Sequence, residues 1–83
     1  SLTANTTADN NTAVGFGSLA ANTTGTFNAS VGASSLTSNT TGSNNIAHGY
    51  QALNANTTGG ANIGIGRGAL FANTTANQLD IYH

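Results

Sequence analysis

The sequence predicts an all-β fold, a parallel β-solenoid or β-roll built from 17-residue repeats. Three observations predict it. An Asn-Thr-Thr triplet recurs at 5–7, 22–24, 39–41, 56–58 and 73–75. Leucine keeps the same step at Leu2, Leu19, Leu36, Leu53 and Leu70, and glycine at Gly15, Gly32, Gly49 and Gly66. Between these markers the chain alternates large and small side chains. An unbroken short period describes a one-dimensional stack of like units, not a globule around one enclosed core.

The first part of each repeat reads as a strand. In the third full copy Ile46, His48 and Tyr50 point one way, while Ala47 and Gly49 point the other. That is the period of a strand. The same columns hold Thr12, Val14 and Phe16, then Ala29, Val31 and Ala33, then Ile63, Ile65 and Arg67. The opposite face stays small at Ala13, Ser30, Ala47 and Gly64. A face with so little side chain lets another backbone or sheet approach closely.

The second part reads as turn chemistry. Gly25, Gly42 and Gly59 follow the triplets. Asn and Thr side chains bond local backbone or stack in ladders from rung to rung. Helix is disfavoured, because Asn, Thr and Gly are weak helix formers and no 3.6-residue stripe survives this period. Each repeat is therefore one coil, stacked at about 4.8 Å per rung.

The last copy departs from the rule. The triplet at 73–75 is in register, but Leu79 and Ile81 reach the apolar columns one residue early, with Asp80 between them. The expected organisation is a five-copy solenoid over 1–76, part of a longer fibre. Residues 77–83 supply a final strand and a transition to a following module.

Composition narrows the function. The 83 residues carry one arginine, two aspartates and a net charge of −1, so no basic stripe for nucleic acid exists. No run is apolar and long enough to insert into a membrane as a helix. There is no cysteine to staple the fold and no proline to interrupt a sheet. A polar linker has a similar composition, but a linker does not hold its apolar residues in fixed columns. Each rung offers a leucine and about two large apolar side chains, a thin core against about 1–2 kcal/mol of backbone entropy per ordered residue. Association of several chains, three around an axis, is the expected remedy.

The segments 11–15, 45–53 and 56–59 resemble the repeat regions of trimeric phage tail fibres and fibre-like bacterial surface proteins. Many of those proteins carry an endosialidase-type intramolecular chaperone after the repeats. The apolar–Ala–apolar–Gly core is also similar to the head repeats of trimeric autotransporter adhesins, whose repeats are shorter. The resemblance covers essentially the whole chain. It implies an intertwined or side-by-side homotrimer, located outside the cell on a virion tail or bacterial surface. It further implies attachment to a host or prey surface, with a cell-surface glycan or another receptor as partner.

Four side chains stand out as candidate contacts. His48 occupies a column otherwise held by Val14, Val31 and Ile65. The plain reading is a packed or hydrogen-bonded histidine; the sharper one is a ring of three on a threefold axis, holding an ion. Arg67 shares a column with Tyr50, where stacking on the ring is favoured over a ligand contact. Phe27, in a column with Asn10, Asn44 and Ala61, is expected to be exposed, and an exposed ring can stack on sugars.

No catalytic residue and no cofactor site is assigned. The two aspartates lie far apart along the chain and no serine has a base partner. The glycine-rich stretch 64–68 lacks the strand–helix setting of a phosphate loop. The Asn-Thr-Thr triplets match the N-glycosylation pattern, but the ladder reading is favoured. Two rival functions remain. Fourteen threonines invite an ice-binding solenoid, although adjacent threonines in a strand face opposite ways. Stacked asparagines also invite a functional amyloid.

Overall fold

The computed structural model describes residues 9–81. Leu2, the first triplet at 5–7 and His83 lie outside them. Five short strands are present: β1 (Thr12–Val14), β2 (Ala29–Val31), β3 (Ile46–His48), β4 (Ile63–Ile65) and β5 (Leu79–Ile81). They form one parallel sheet in chain order, with no helix among the described residues. The chain is thus a parallel β-solenoid with one three-residue strand per rung.

The pairing register follows the sequence period. Thr12 pairs with Ala29, Ala29 with Ile46 and Ile46 with Ile63. The last step is one residue shorter, since Ile63 pairs with Leu79 and Ile65 with Ile81. Thr75 takes the place of the turn glycine: its carbonyl accepts Asn62 Nδ2 at 2.7 Å, as the Gly59 carbonyl accepts Asn45 Nδ2 at 3.0 Å. Gln78 then stands in the column of Asn11, Asn28, Asn45 and Asn62, and its amide donates to Asn62 Oδ1 at 2.9 Å.

The two faces of the sheet sort by side-chain size. Ser30, Ala47 and Gly64 point inward and are buried, whereas Thr12, Val14, Ile46, His48, Leu79 and Ile81 point outward and are exposed. The large strand residues therefore do not fill the coil. The small face is small because the far wall of the same coil lies against it. A Cβ added at Gly64 would meet the Ala69 carbonyl oxygen at 3.1 Å and Leu53 Cγ at 3.4 Å. That face admits the chain's own backbone, not a neighbouring sheet.

Inside the coil, leucine is the one large apolar side chain per rung. Leu19, Leu36 and Leu53 are fully buried in a column with Ala47 and Ala52, and Leu70 packs on its end. These leucines have left-handed backbone, with φ 52°, 49°, 53° and 53°. That conformation costs a bulky residue about 1–3 kcal/mol, against about 1.5–3 kcal/mol gained on burying leucine. Leu36→Ala should therefore lower stability by about 3 kcal/mol in urea unfolding. The exposed control Thr41→Ala should stay within about 0.5 kcal/mol. Equal effects would mean the leucine column does not carry the interior.

The rest of the interior is polar. Asn22, Asn39 and Asn56 form one buried ladder: Asn39 Nδ2 donates to Asn22 Oδ1, and Asn56 Nδ2 to Asn39 Oδ1, each at 2.9 Å. The same amide nitrogens hold the turn of their own rung through Gly42 O at 3.0 Å and Gly59 O at 2.9 Å. A second ladder uses the Asn of the pre-strand position. Asn28 Oδ1 accepts the Asn45 amide at 3.0 Å, and Asn45 Oδ1 accepts that of Asn62 at 3.0 Å. Among the described residues no buried side-chain polar atom lacks a partner. Burying an amide without partners would cost several kcal/mol, so the ladders are a condition of this fold.

Candidate functional site: the outer sheet face and its terminal cleft

With leucine and asparagine turned in, the sheet presents its large aliphatic side chains to solvent. Two parallel columns run up it. One is Thr12, Ala29, Ile46, Ile63 and Leu79; the other is Val14, Val31, His48, Ile65 and Ile81. Ile63 and Ile65 are half-buried by their neighbours, while Leu79 and Ile81 are each 68% exposed at the end of the stack. Parallel pairing aligns like positions, so the apolar residues form columns interrupted only by Thr12 and His48.

His48 lies in the second column between Val31 and Ile65, exposed on this outer face. Among the described residues no three His, Cys, Asp or Glu side chains come together in a metal-binding group. A single chain therefore supplies one imidazole at this height of the face.

The other candidates fall at the two ends of the strands. Phe27 sits two residues before β2, is exposed and has φ 57°. Its column is left-handed in every described rung; Asn10, Asn44 and Asn77 suit that conformation better, because asparagine visits it more readily than bulky residues do. Tyr50 and Arg67 sit two residues after β3 and β4, and both are exposed. The main chain joins their rungs, with the Gly68 amide donating to the Tyr50 carbonyl at 2.8 Å. Phe27 is thus separated from Tyr50 and Arg67 by the width of the sheet.

Arg67 does have company that the sequence reading missed. It lines an open cleft of about 570 Å3 together with Gln51, Gly68, Phe71 and Asp80. Phe71 takes a column otherwise held by Ala20, Thr37 and Asn54. Asp80 takes the inward column of Ala13, Ser30, Ala47 and Gly64. Its Oδ2 accepts the Leu70 amide at 3.2 Å. In the rungs before it, the leucine amide bonds the next rung's backbone instead, as Leu36 does to the Ala52 carbonyl at 2.9 Å. The Asp80 carboxylate replaces that carbonyl and closes the end of the leucine column. Comparing each column across rungs is the signal that could have found both residues.

Threonine hydroxyls at the triplets are drawn into the stack. Thr23 Oγ1 donates to the Thr40 carbonyl at 3.2 Å, and Thr40 Oγ1 to the Thr57 carbonyl at 3.3 Å. Those groups bind the solenoid's own next rung. No helix among the described residues is long and apolar enough to cross a membrane. Compared with known protein families, with curated proteins and with solved structures, the chain has no match.

Proposed function

We propose that this chain is a segment of a homotrimeric fibre outside the cell that supports attachment to a cell surface, with a structural and adhesive role and no catalytic one. The observation that carries the reading is the outer sheet face. Over five rungs its two columns are apolar apart from Thr12 and His48 and carry no formal charge. Such a contiguous apolar surface on a soluble chain marks a contact surface. The chain's own interior is too thin to supply much stability, so burial of this face adds what the coil lacks. A standard interface covers about 800 Å2 per partner. The chain exposes 4159 Å2 in all, so one such contact uses a modest part of it. The same face repeated on three chains closes around an axis without leaving an open edge.

Multi-angle light scattering of the soluble chain should give three copies of 8.2 kDa. Ile46→Glu and Ile65→Glu should dissociate them, because each puts charge into the closed apolar face. A folded monomer of the unsubstituted chain would overturn the trimer. Fluorescently labelled protein should also bind intact cells of a susceptible type; absence of binding to any cell type in a broad panel would remove the adhesive role.

A further inference from the structure

We infer that the cleft lined by Gln51, Arg67, Gly68, Phe71 and Asp80 is a binding site for a neutral saccharide, with Phe71 as the stacking platform. The inference deepens the attachment reading and rests on it for its biological meaning. Its physical basis is separate. A repeat protein holds constant at every rung what its scaffold needs. The columns of Arg67 (Phe16, Ala33, Tyr50) and Phe71 (Ala20, Thr37, Asn54) change at every rung, so the scaffold leaves these side chains free for another role. They meet in this cleft with Asp80, which breaks an otherwise small column.

Phe71 is the clearest case. In the two rungs before it, though not at Ala20, its column donates side-chain hydrogen bonds: Thr37 Oγ1 to the Gly17 carbonyl, and Asn54 Nδ2 to the Ser34 carbonyl at 3.0 Å. Phenylalanine cannot donate, so the Gln51 carbonyl, next in that series, is left with the Asn54 amide at 3.2 Å. The ring gains little shelter in exchange, being 46% exposed. Gly68 repeats the glycine of Gly17 in a left-handed column that holds Ser34 and Gln51 between them, and a Cβ added at Gly68 would meet nothing within 4 Å. The space over it is open, and it forms the cleft floor.

The chemistry of the walls selects the ligand class. Sugars present a C–H face that packs on an aromatic ring and a rim of hydroxyls that both donate and accept. Here Arg67 donates, Asp80 accepts through the oxygen not used on the Leu70 amide, and Gln51 does both. The guanidinium and the carboxylate offset one another. An anionic or cationic ligand would meet one attractive and one repulsive charge, whereas a neutral polyol meets only hydrogen-bonding partners. The volume, about 570 Å3, suits one or two sugar rings. Capping of the stack accounts for Asp80 alone; it gives no reason for Phe71 or Arg67.

The test uses the full chain and saturation-transfer NMR with D-glucose, D-galactose, D-mannose, N-acetylglucosamine, lactose and chitobiose as probes. At least one should receive saturation, with a dissociation constant in the millimolar range. Phe71→Thr restores the residue type of Thr37 and so keeps the ladder. It should weaken binding by about tenfold or more. Arg67→Tyr, which copies Tyr50, should weaken it as well. Phe27→Asn should leave it unchanged. No saturation of any probe, or full binding by a folded Phe71→Thr variant, would overturn the site. Cell attachment by both the unsubstituted chain and Phe71→Thr, without sugar binding, would sink the cleft and leave the attachment reading standing. Sugar binding without cell attachment would do the reverse.

Discussion

Asn39→Asp should abolish or nearly abolish folding of the middle rungs at neutral pH, a loss of more than about 4 kcal/mol. The change alters one atom group, but it reverses the hydrogen bonding. Asn39 Nδ2 donates both to Asn22 Oδ1 at 2.9 Å and to the Gly42 carbonyl at 3.0 Å. A carboxylate oxygen there would face two acceptors, fully buried and charged. Burial raises the pKa of such a carboxyl, so the folded state would hold its proton more tightly than the unfolded one. The sign follows: stability of the variant should fall as pH rises above about 4, the unfolded carboxyl value. Urea titrations at pH 4 and pH 7 would measure it. A variant as stable as the unsubstituted chain at both values would show that the ladder is dispensable.

Gly49→Ala should be nearly as damaging, at roughly 4 kcal/mol. Gly49 has φ 138°, and a Cβ there would sit 2.6 Å from the Gly66 carbonyl oxygen and 2.7 Å from its carbon. Both are backbone of the next rung, so relief requires the rungs to separate. Gly68→Ala is the matched control. It shares the left-handed region at φ 70° but meets nothing within 4 Å, so its cost should be only about 1 kcal/mol. Comparable melting temperatures for the two variants would show that rung spacing tolerates a methyl group at Gly49.

Most of the fold is legible before any coordinate is known. The strand columns, the leucine column and the one-residue advance at Leu79 and Ile81 all follow from spacing, because parallel stacking turns sequence period directly into spatial register. The candidate site is legible only in part. Arg67 stands out as a charge in an apolar column. Phe71 and Asp80 can each be picked out by comparing columns across rungs, but that they line one cleft with residues 51 and 67 is decided by the coil. Phe27, Tyr50 and His48 are exposed, as surface contacts require, but they lie on different parts of the coil.

The 17-residue period by itself determined that this protein is a stack of parallel rungs, which positions share a column, and where the period breaks. Only the tertiary structure decided which side of each strand is inside. Alternation says that Ile46 and Ala47 face opposite ways; it does not say which way the coil closes. Closure is set by volume. The wall carrying Leu53 and Asn56 leaves room for Ala47 and Gly64 but not for Ile46 or Ile63. The large aliphatic side chains are therefore on the outside, where a second copy can reach them. The interior is left to leucine and to asparagine amides that bond one another.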